Sequence, residues 1–331
     1  MSNCWIVYLI PFAPEDRNKP IVAEFQKGCI KDGVFGMGWS IGDTNDFDDI
    51  DKLTYDDYNI KWKEYLNDNN AEVSKTAFNN YNKIEKGDIV IIRNKDSHYY
   101  IGKVSQTAKY HSYIEMKKTD YYNDYFNNDY FNIEENNVEK SPLSFYCRVE
   151  KWIDIEEEYG AVPSIIVGRF SQRMHQTITR VADEMLKNIM ENLISSDKVK
   201  IAINIDNFTD VLNADELEDL VGFYMEANNT NYHFLPSSCK NSTQKYEFIM
   251  INDDCNQITC QAKNKKIINL DDYMDDKNIY KKIYIFSAEG VSGKASENIE
   301  VISREALYKF LKDKPSCSFF RKHLEKWYTF E

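Results

Sequence analysis

At 331 residues the chain is too long for one ordinary core and predicts about two domains of ~100–200 residues each. Its 42% hydrophobic and 29% charged residues exclude a disordered chain, and no apolar run approaches the ~20 residues needed to span a bilayer. A formal net charge of −13 excludes a protein that coats nucleic acid by overall charge. That charge is uneven. Residues 161–331 carry 22 Lys and Arg against 25 Asp and Glu, so −3, which leaves −10 on residues 1–160.

The opening Cys4-Trp5-Ile6-Val7-Tyr8-Leu9-Ile10 has no basic lead and stops at Pro11, so it reads as a first strand rather than a signal peptide. Seven irregularly spaced cysteines, with no Cys-x-x-Cys step, suit buried thiols in a reducing cytoplasm. The histidines form no pair at metal-ligand spacing.

Residues 1–165 then read as short strands between polar loops. The clearest pair is Asp88–Arg93 and Tyr99–Val104, with a turn over 94–97, and a further strand runs over 145–152. The low-complexity stretch 120–137, with YYNDYFNNDYFN at its heart, reads as a surface insertion. Such strands suggest a small β-barrel. Ile178, Val181, Met185, Ile189 and Leu193 recur at three and four, which predicts a connecting helix over 171–195. Arg169, Arg173, Arg180 and Lys187 would then lie along it, solvated or placed for phosphate contacts. The linker is set at 166–204 and a second domain at 205–331.

That second domain reads as mixed α and β. Asn213 is a plausible N-cap for a helix to about Ala227, with Leu217, Leu220, Val221 and Tyr224 as its apolar stripe. Strands follow near 246–252, 257–263 and 282–287, and a last helix begins at Arg304. A loop over Glu289–Lys294 after the third strand lacks the spacing of a phosphate-binding loop.

The strands over 246–263 carry the chemistry. Side chains alternate faces along a strand, so the pairing register decides which meet. A loop with an odd number of residues, such as Asn252–Asn256, sets Glu247 opposite Gln261. Tyr246, Phe248, Met250, Ile258, Cys260 and Ala262 then form one apolar face, and Glu247, Gln261 and Lys263 share the other. That polar set suits Mg²⁺ or Mn²⁺, with Glu247 and Gln261 as oxygen ligands. Lys263 would orient the attacking water and offset charge in the transition state. Glu218, on the preceding helix, is the acid chosen to complete the site. The same hairpin in another protein would merely solvate a sheet face.

The order of helix acid in ELEDLVGFYMEA, strand acid in YEFIMI and then QAK resembles the PD-(D/E)XK nuclease superfamily, in its Mrr-type branch, over about residues 213–290. The resemblance implies a restriction-endonuclease-like mixed sheet flanked by helices. It also implies Mg²⁺-dependent cleavage of DNA phosphodiesters, with roles for Glu218, Glu247, Gln261 and Lys263. The strand acid is Glu where Asp is commoner, and no Pro-Asp step precedes it. Residues 1–165, through GMGWS at 36–40, IEKGDIVIIR, YYIGKV and RVEKW, resemble PUA-like domains of the EVE type. That resemblance implies a reader of modified bases. Trp39, Ser40, Tyr110 and Trp152 are the candidates for its base pocket. The expected whole is an α+β or α/β cytoplasmic protein that cuts modified DNA in anti-phage defence, where a homodimer would let both strands be cut. Two alternatives stand beside it: a non-catalytic reader of modified nucleic acid with a degenerate nuclease fold, and an enzyme directed at RNA.

Overall fold

The structure is a computed structural model and describes residues 2–9, 20–38, 52–110, 143, 145–171, 178–195, 200–235 and 245–331. The low-complexity stretch 120–137 lies outside them. The protein is mixed α+β and divides into two compact units, 1–162 with 172–198 and 163–171 with 199–331.

The first unit is built on a six-stranded sheet that curls as a half barrel. Its strands are β1 (Cys4–Val7), β2 (Val34–Met37), β3 (Ile89–Arg93), β4 (Tyr99–Tyr110), β5 (Phe145–Asp154) and β6 (Ile178–Arg180), ordered β2-β5-β4-β3-β1-β6. β1 and β3 are parallel, and the other pairs are antiparallel. The parallel step needs a long crossover. Helices α1 (Pro20–Lys31), α2 (Tyr55–Leu66) and α3 (Lys75–Tyr81) lie along it. Their apolar residues Phe25, Tyr58, Trp62 and Phe78 join one core with Trp5, Phe35, Val90 and Phe145. Bulges between Gly102 and Lys109 bend β4 against β5, the usual device for curling a sheet.

Two side-chain choices hold this sheet. Asp88 is 3% exposed, and its carboxylate accepts from Trp5 Nε1 at 2.8 Å, Asn3 N at 2.8 Å and Glu85 N at 3.0 Å. Gly36 of the GMGWS motif sits where β2 crosses β5. A Cβ there would fall 2.0 Å from the Phe145 carbonyl oxygen, so only glycine fits.

The connecting helix expected over 171–195 is not formed. Helix α4 (Ile155–Tyr159) leads to α5 (Ser164–Ser171), which belongs to the second unit. Ile178 lies on β6, paired with Val7 at the edge of the first sheet, and among the described residues after Ser171 in that span only α6 (Glu184–Ile194) is helical. A three-residue strand shows no alternation, and Ile178 and Val181 happened to continue the helical spacing of α6. Arg169 on α5, Arg180 on β6 and Lys187 on α6 therefore form no stripe, and Arg180 instead bonds the Asn3 side chain. Arg173 lies outside the described residues.

The second unit carries a five-stranded mixed sheet. Its strands are β8 (His233–Phe234), β9 (Phe248–Ile251), β10 (Gln257–Lys263), β12 (Lys282–Ser287) and β14 (Ile299–Val301), ordered β14-β12-β10-β9-β8. β7 (Ile201–Ile203) pairs with β15 (Tyr328–Phe330), and β11 (Ile268–Asn269) with β13 (Val291–Ser292). A 3₁₀ segment spans Leu270–Asn278. Helix α7 (Ala214–Ala227) starts on a capping box: Asn213 accepts from Glu216 N, and the Glu216 carboxylate accepts from Asn213 N. It covers one face of the sheet, with Gly222 against the Phe248 ring, and Asn229 just beyond it bonds the Tyr284 hydroxyl at 2.8 Å. Helices α8 (Arg304–Asp313) and α9 (Ser318–Leu324) pack on α7 through Tyr224–Phe310 and Phe223–Phe320.

Candidate active site

The β9–β10 hairpin has the register that assembles the polar set. Ile251 pairs with Gln257 and Phe248 with Cys260, so the loop is Asn252–Asn256, with Cys255 in the left-handed region at φ 61°. Glu247 N bonds Cys260 O at 3.0 Å, which continues the ladder and sets Glu247 beside Gln261. Phe248, Met250, Ile258, Cys260 and Ala262 are buried together under α7, as their alternation predicts.

Tyr246 does not join them. β9 begins at Phe248, and the alternation does not extend back past that first paired residue. Tyr246 packs instead with Ile283, Ile285 and Tyr273, its ring 5.8 Å from Tyr273 and 5.0 Å from Tyr280.

The site itself is four side chains, from α7, β10 and the residue just before β9. Lys263 Nζ donates to Glu247 Oε1 at 2.8 Å, and Gln261 Nε2 donates to the same oxygen. Gln261 is 4% exposed on the central strand β10. Glu218, one turn into α7, shares a hydrogen bond with Glu247. Burial, and then the Glu247 charge, raise the Glu218 carboxyl to about 7, against the opposing pull of Lys263. The fold brings together the four residues that the sequence puts forward.

The donor set fits a hard cation. Glu218 and Glu247 face each other, and a cation between them would offset the burial and the Glu247 charge that favour a protonated Glu218. Gln261 presents its oxygen after half a turn of the amide. Mg²⁺ takes one or two carboxylates and keeps several waters, so this set suffices. Among the described residues no group of three or more His, Cys, Asp and Glu converges.

A wall beside the site was not legible in the sequence. Lys245 lies over the Tyr273 ring at 4.7 Å and over Tyr246 at 5.6 Å. Asp276 binds both the Lys245 ammonium and the Tyr246 hydroxyl, and these bonds hold its carboxyl below the usual range. Only the adjacency of Lys245 to Glu247 hinted at this, because Asp276 is thirty residues away.

The residues proposed for a base pocket fare differently. Trp39 and Ser40 lie outside the described residues. Tyr110 is 3% exposed, packed against Phe145 at 5.4 Å and Tyr58 at 5.8 Å, and so belongs to the core. Trp152 is also buried, edge-on to Phe35, with Gly102 opposite leaving room for its indole. One edge of Trp152 still lines an open cleft of about 870 Å³, with Lys103, Lys151, Asp154, Glu157 and Tyr159.

Comparison of the chain with known protein families finds no match, and comparisons with curated proteins and with solved structures find none either. The functional reading therefore rests on the site. No helix among the described residues is long and apolar enough to cross a membrane.

Proposed function

We propose that this protein is a metal-dependent DNA endonuclease that hydrolyses phosphodiesters with its second unit and reads modified bases with its first. The observation that carries the reading is the meeting of Glu218 on α7, Glu247 just before β9, and Gln261 and Lys263 on β10, 45 residues apart at their extremes, at one polar point. Glu247, Gln261 and Glu218 would hold Mg²⁺ or Mn²⁺, which supplies a Lewis acid and an activated water when bound. Lys263 stands 2.8 Å from Glu247, where its ammonium can hold a water for in-line attack and meet charge on the phosphoryl oxygens. The Tyr246–Tyr273 pair, clamped by Lys245 and Asp276, would stand next to a bound substrate because Tyr246 adjoins Glu247. The modified-base role of the first unit is supported by its GMGWS motif and its curled sheet, with Trp39 and Ser40 as the residues to probe.

The test is cleavage of modified phage DNA against unmodified plasmid, with Mg²⁺ or Mn²⁺, by wild type and Lys263→Ala. Cutting by wild type alone supports the site, and restriction of that cutting to modified DNA supports the reader. Retained cleavage by Lys263→Ala overturns the assignment. One observation favours a second reading, a non-catalytic reader of modified nucleic acid. Glu247 is already matched by Lys263 and Gln261, so the cluster is neutralised without a cation. Modified DNA bound but uncut with either metal would establish that alternative.

A further inference from the structure

Strand register sets two tyrosines on the same side of the second sheet as the candidate site. Thr259 pairs with Ile283 and Gln261 with Ile285. Paired residues point to one side of a sheet, so Ile283 and Ile285 share the side of Gln261 and Lys263. Tyr246 and Tyr273 are buried in one cluster with these two isoleucines and with Leu270, where the 3₁₀ segment begins.

The two hydroxyls differ. Tyr246 donates to Asp276, whose carboxylate also binds Lys245. Tyr273 is 8% exposed, and among the described residues its hydroxyl meets no hydrogen-bond partner. A hydroxyl without a partner on so buried a residue is uncommon and calls for an explanation. The ring is held in place, 5.8 Å from the Tyr246 ring and with the Lys245 ammonium 4.7 Å from its centre. Burial, and then the Asp272 and Glu247 charges, raise the Tyr273 hydroxyl above its ordinary value. At neutral pH it can therefore give a hydrogen bond but not take a proton.

We propose that the Tyr273 hydroxyl is a further catalytic group of this site, donating a hydrogen bond to a non-bridging oxygen of the phosphate under attack. The inference rests on the nuclease reading and adds to it a residue outside the helix-acid, strand-acid and QAK positions. Negative charge grows on those oxygens in the transition state, and a donor fixed in advance stabilises it without reorganisation. Water forms the new P–O bond as the old one breaks, and the tyrosine keeps its proton throughout. Asp271, Asp272 and Asp275 are exposed on the segment that carries Tyr273, so the segment repels a DNA backbone. A phosphate comes within reach of Tyr273 when a cation at Glu247 offsets those charges, which confines the hydroxyl to the bond being cut.

The test uses the full chain and a duplex bearing the modified base, with oxygen or either phosphorothioate diastereomer at the mapped cut. Tyr273→Phe keeps the ring. It should cut on the order of 10²-fold more slowly in single turnovers and bind the uncut duplex in Ca²⁺ as wild type does. Wild type should lose rate on one diastereomer in a way that Mn²⁺ does not restore, and Tyr273→Phe should lose nothing further there. Tyr246→Phe, which breaks the bond to Asp276 instead, should lower the urea midpoint and keep the cleavage rate. Circular dichroism reports folding. Should Tyr273→Phe not fold, 3,5-difluorotyrosine in place of Tyr273 decides: its more acidic hydroxyl should lose cleavage at alkaline pH where wild type keeps it, and equal pH profiles overturn the proposal. Cutting by Tyr273→Phe at the wild-type rate overturns it and leaves the site assignment standing. A slower variant whose phosphorothioate penalties equal those of wild type also overturns it, because the ring then acts through packing alone. If wild type cuts no duplex, the nuclease reading falls and takes this inference with it.

Discussion

Each unit sets a carboxylate against its sheet, buried at Asp88 and half-buried at Glu247, and they treat it in opposite ways. In the first, Asp88 is met by an indole N–H and two backbone N–H groups, all donors, with no acid against it. In the second, Glu247 is met by a lysine and an amide on one side and by another carboxyl, Glu218, on the other. A fully satisfied buried charge holds a fold together. Two acids pressed against each other do the reverse, and such an arrangement marks a place prepared for a cation or a proton.

Removing Lys263 is the sharpest way to test the second case. Lys263→Ala should lower the rate of DNA cleavage by roughly 10²–10³-fold, the usual cost of losing one preorganised charge at a reacting phosphate. Its stability should change little, because the lysine is 40% exposed. Both follow from single-turnover kinetics and a urea melt on the same protein. Asp88→Ala should do the opposite. It strands the Trp5 indole and two backbone N–H groups inside the sheet and should cost about 3 kcal/mol by urea denaturation. Its effect on single-turnover cleavage, measured where the protein is folded, should be minor.

Glu218→Gln separates the two cases by pH. The folded protein holds this carboxyl at about 7, above its usual 4.5, because protonation is favoured inside. The stabilising effect of that protonation is fully present below about 4.5 and is lost as pH rises through about 7. The amide variant keeps a neutral group at every pH. It should therefore melt above wild type at pH 8.5 without added metal, with the difference gone by pH 4.5. Equal melting temperatures across that range would show that neither burial nor Glu247 raises the Glu218 carboxyl. The smallest effect is expected at Ser164, whose hydroxyl donates to Glu216 at 2.6 Å and lies 3.0 Å from His323 Nε2. Ser164→Ala should cost about 1 kcal/mol in the same urea assay, one ordinary hydrogen bond, and leave cleavage unchanged.

The contrast also separates what the sequence discloses from what it hides. The β9–β10 pairing was readable because apolar alternation on two strands agrees with only one loop parity, and the same parity collects Glu247, Gln261 and Lys263. The start of α7 was readable because Asn213 and Glu216 form a local box. Alternation misplaces Tyr246 because it does not run back past Phe248, the first residue of β9. The helical spacing over 171–195 misleads because a three-residue edge strand takes its meaning from β1, more than 170 positions away in the chain. Asp88 gave no signal for the same reason, since two of its donors, on Asn3 and Trp5, are separated from it by 83 or more positions.

The place of β6 has a consequence for how the chain is made. β1 lies between β3 and β6 in the sheet, and β6 comes after α5, which belongs to the other unit. As the chain emerges from the ribosome, Trp5, Ile6 and Val7 present an open strand edge until residues 178–180 arrive. Such an edge is a template for pairing with other chains. A fragment ending at residue 162 would keep that edge permanently bare and lose the Ile178 side chain from the core. Such a fragment should aggregate where the whole chain does not, and the first unit would need residues 178–194 restored to it, by a circular permutation or a short graft, to stand alone.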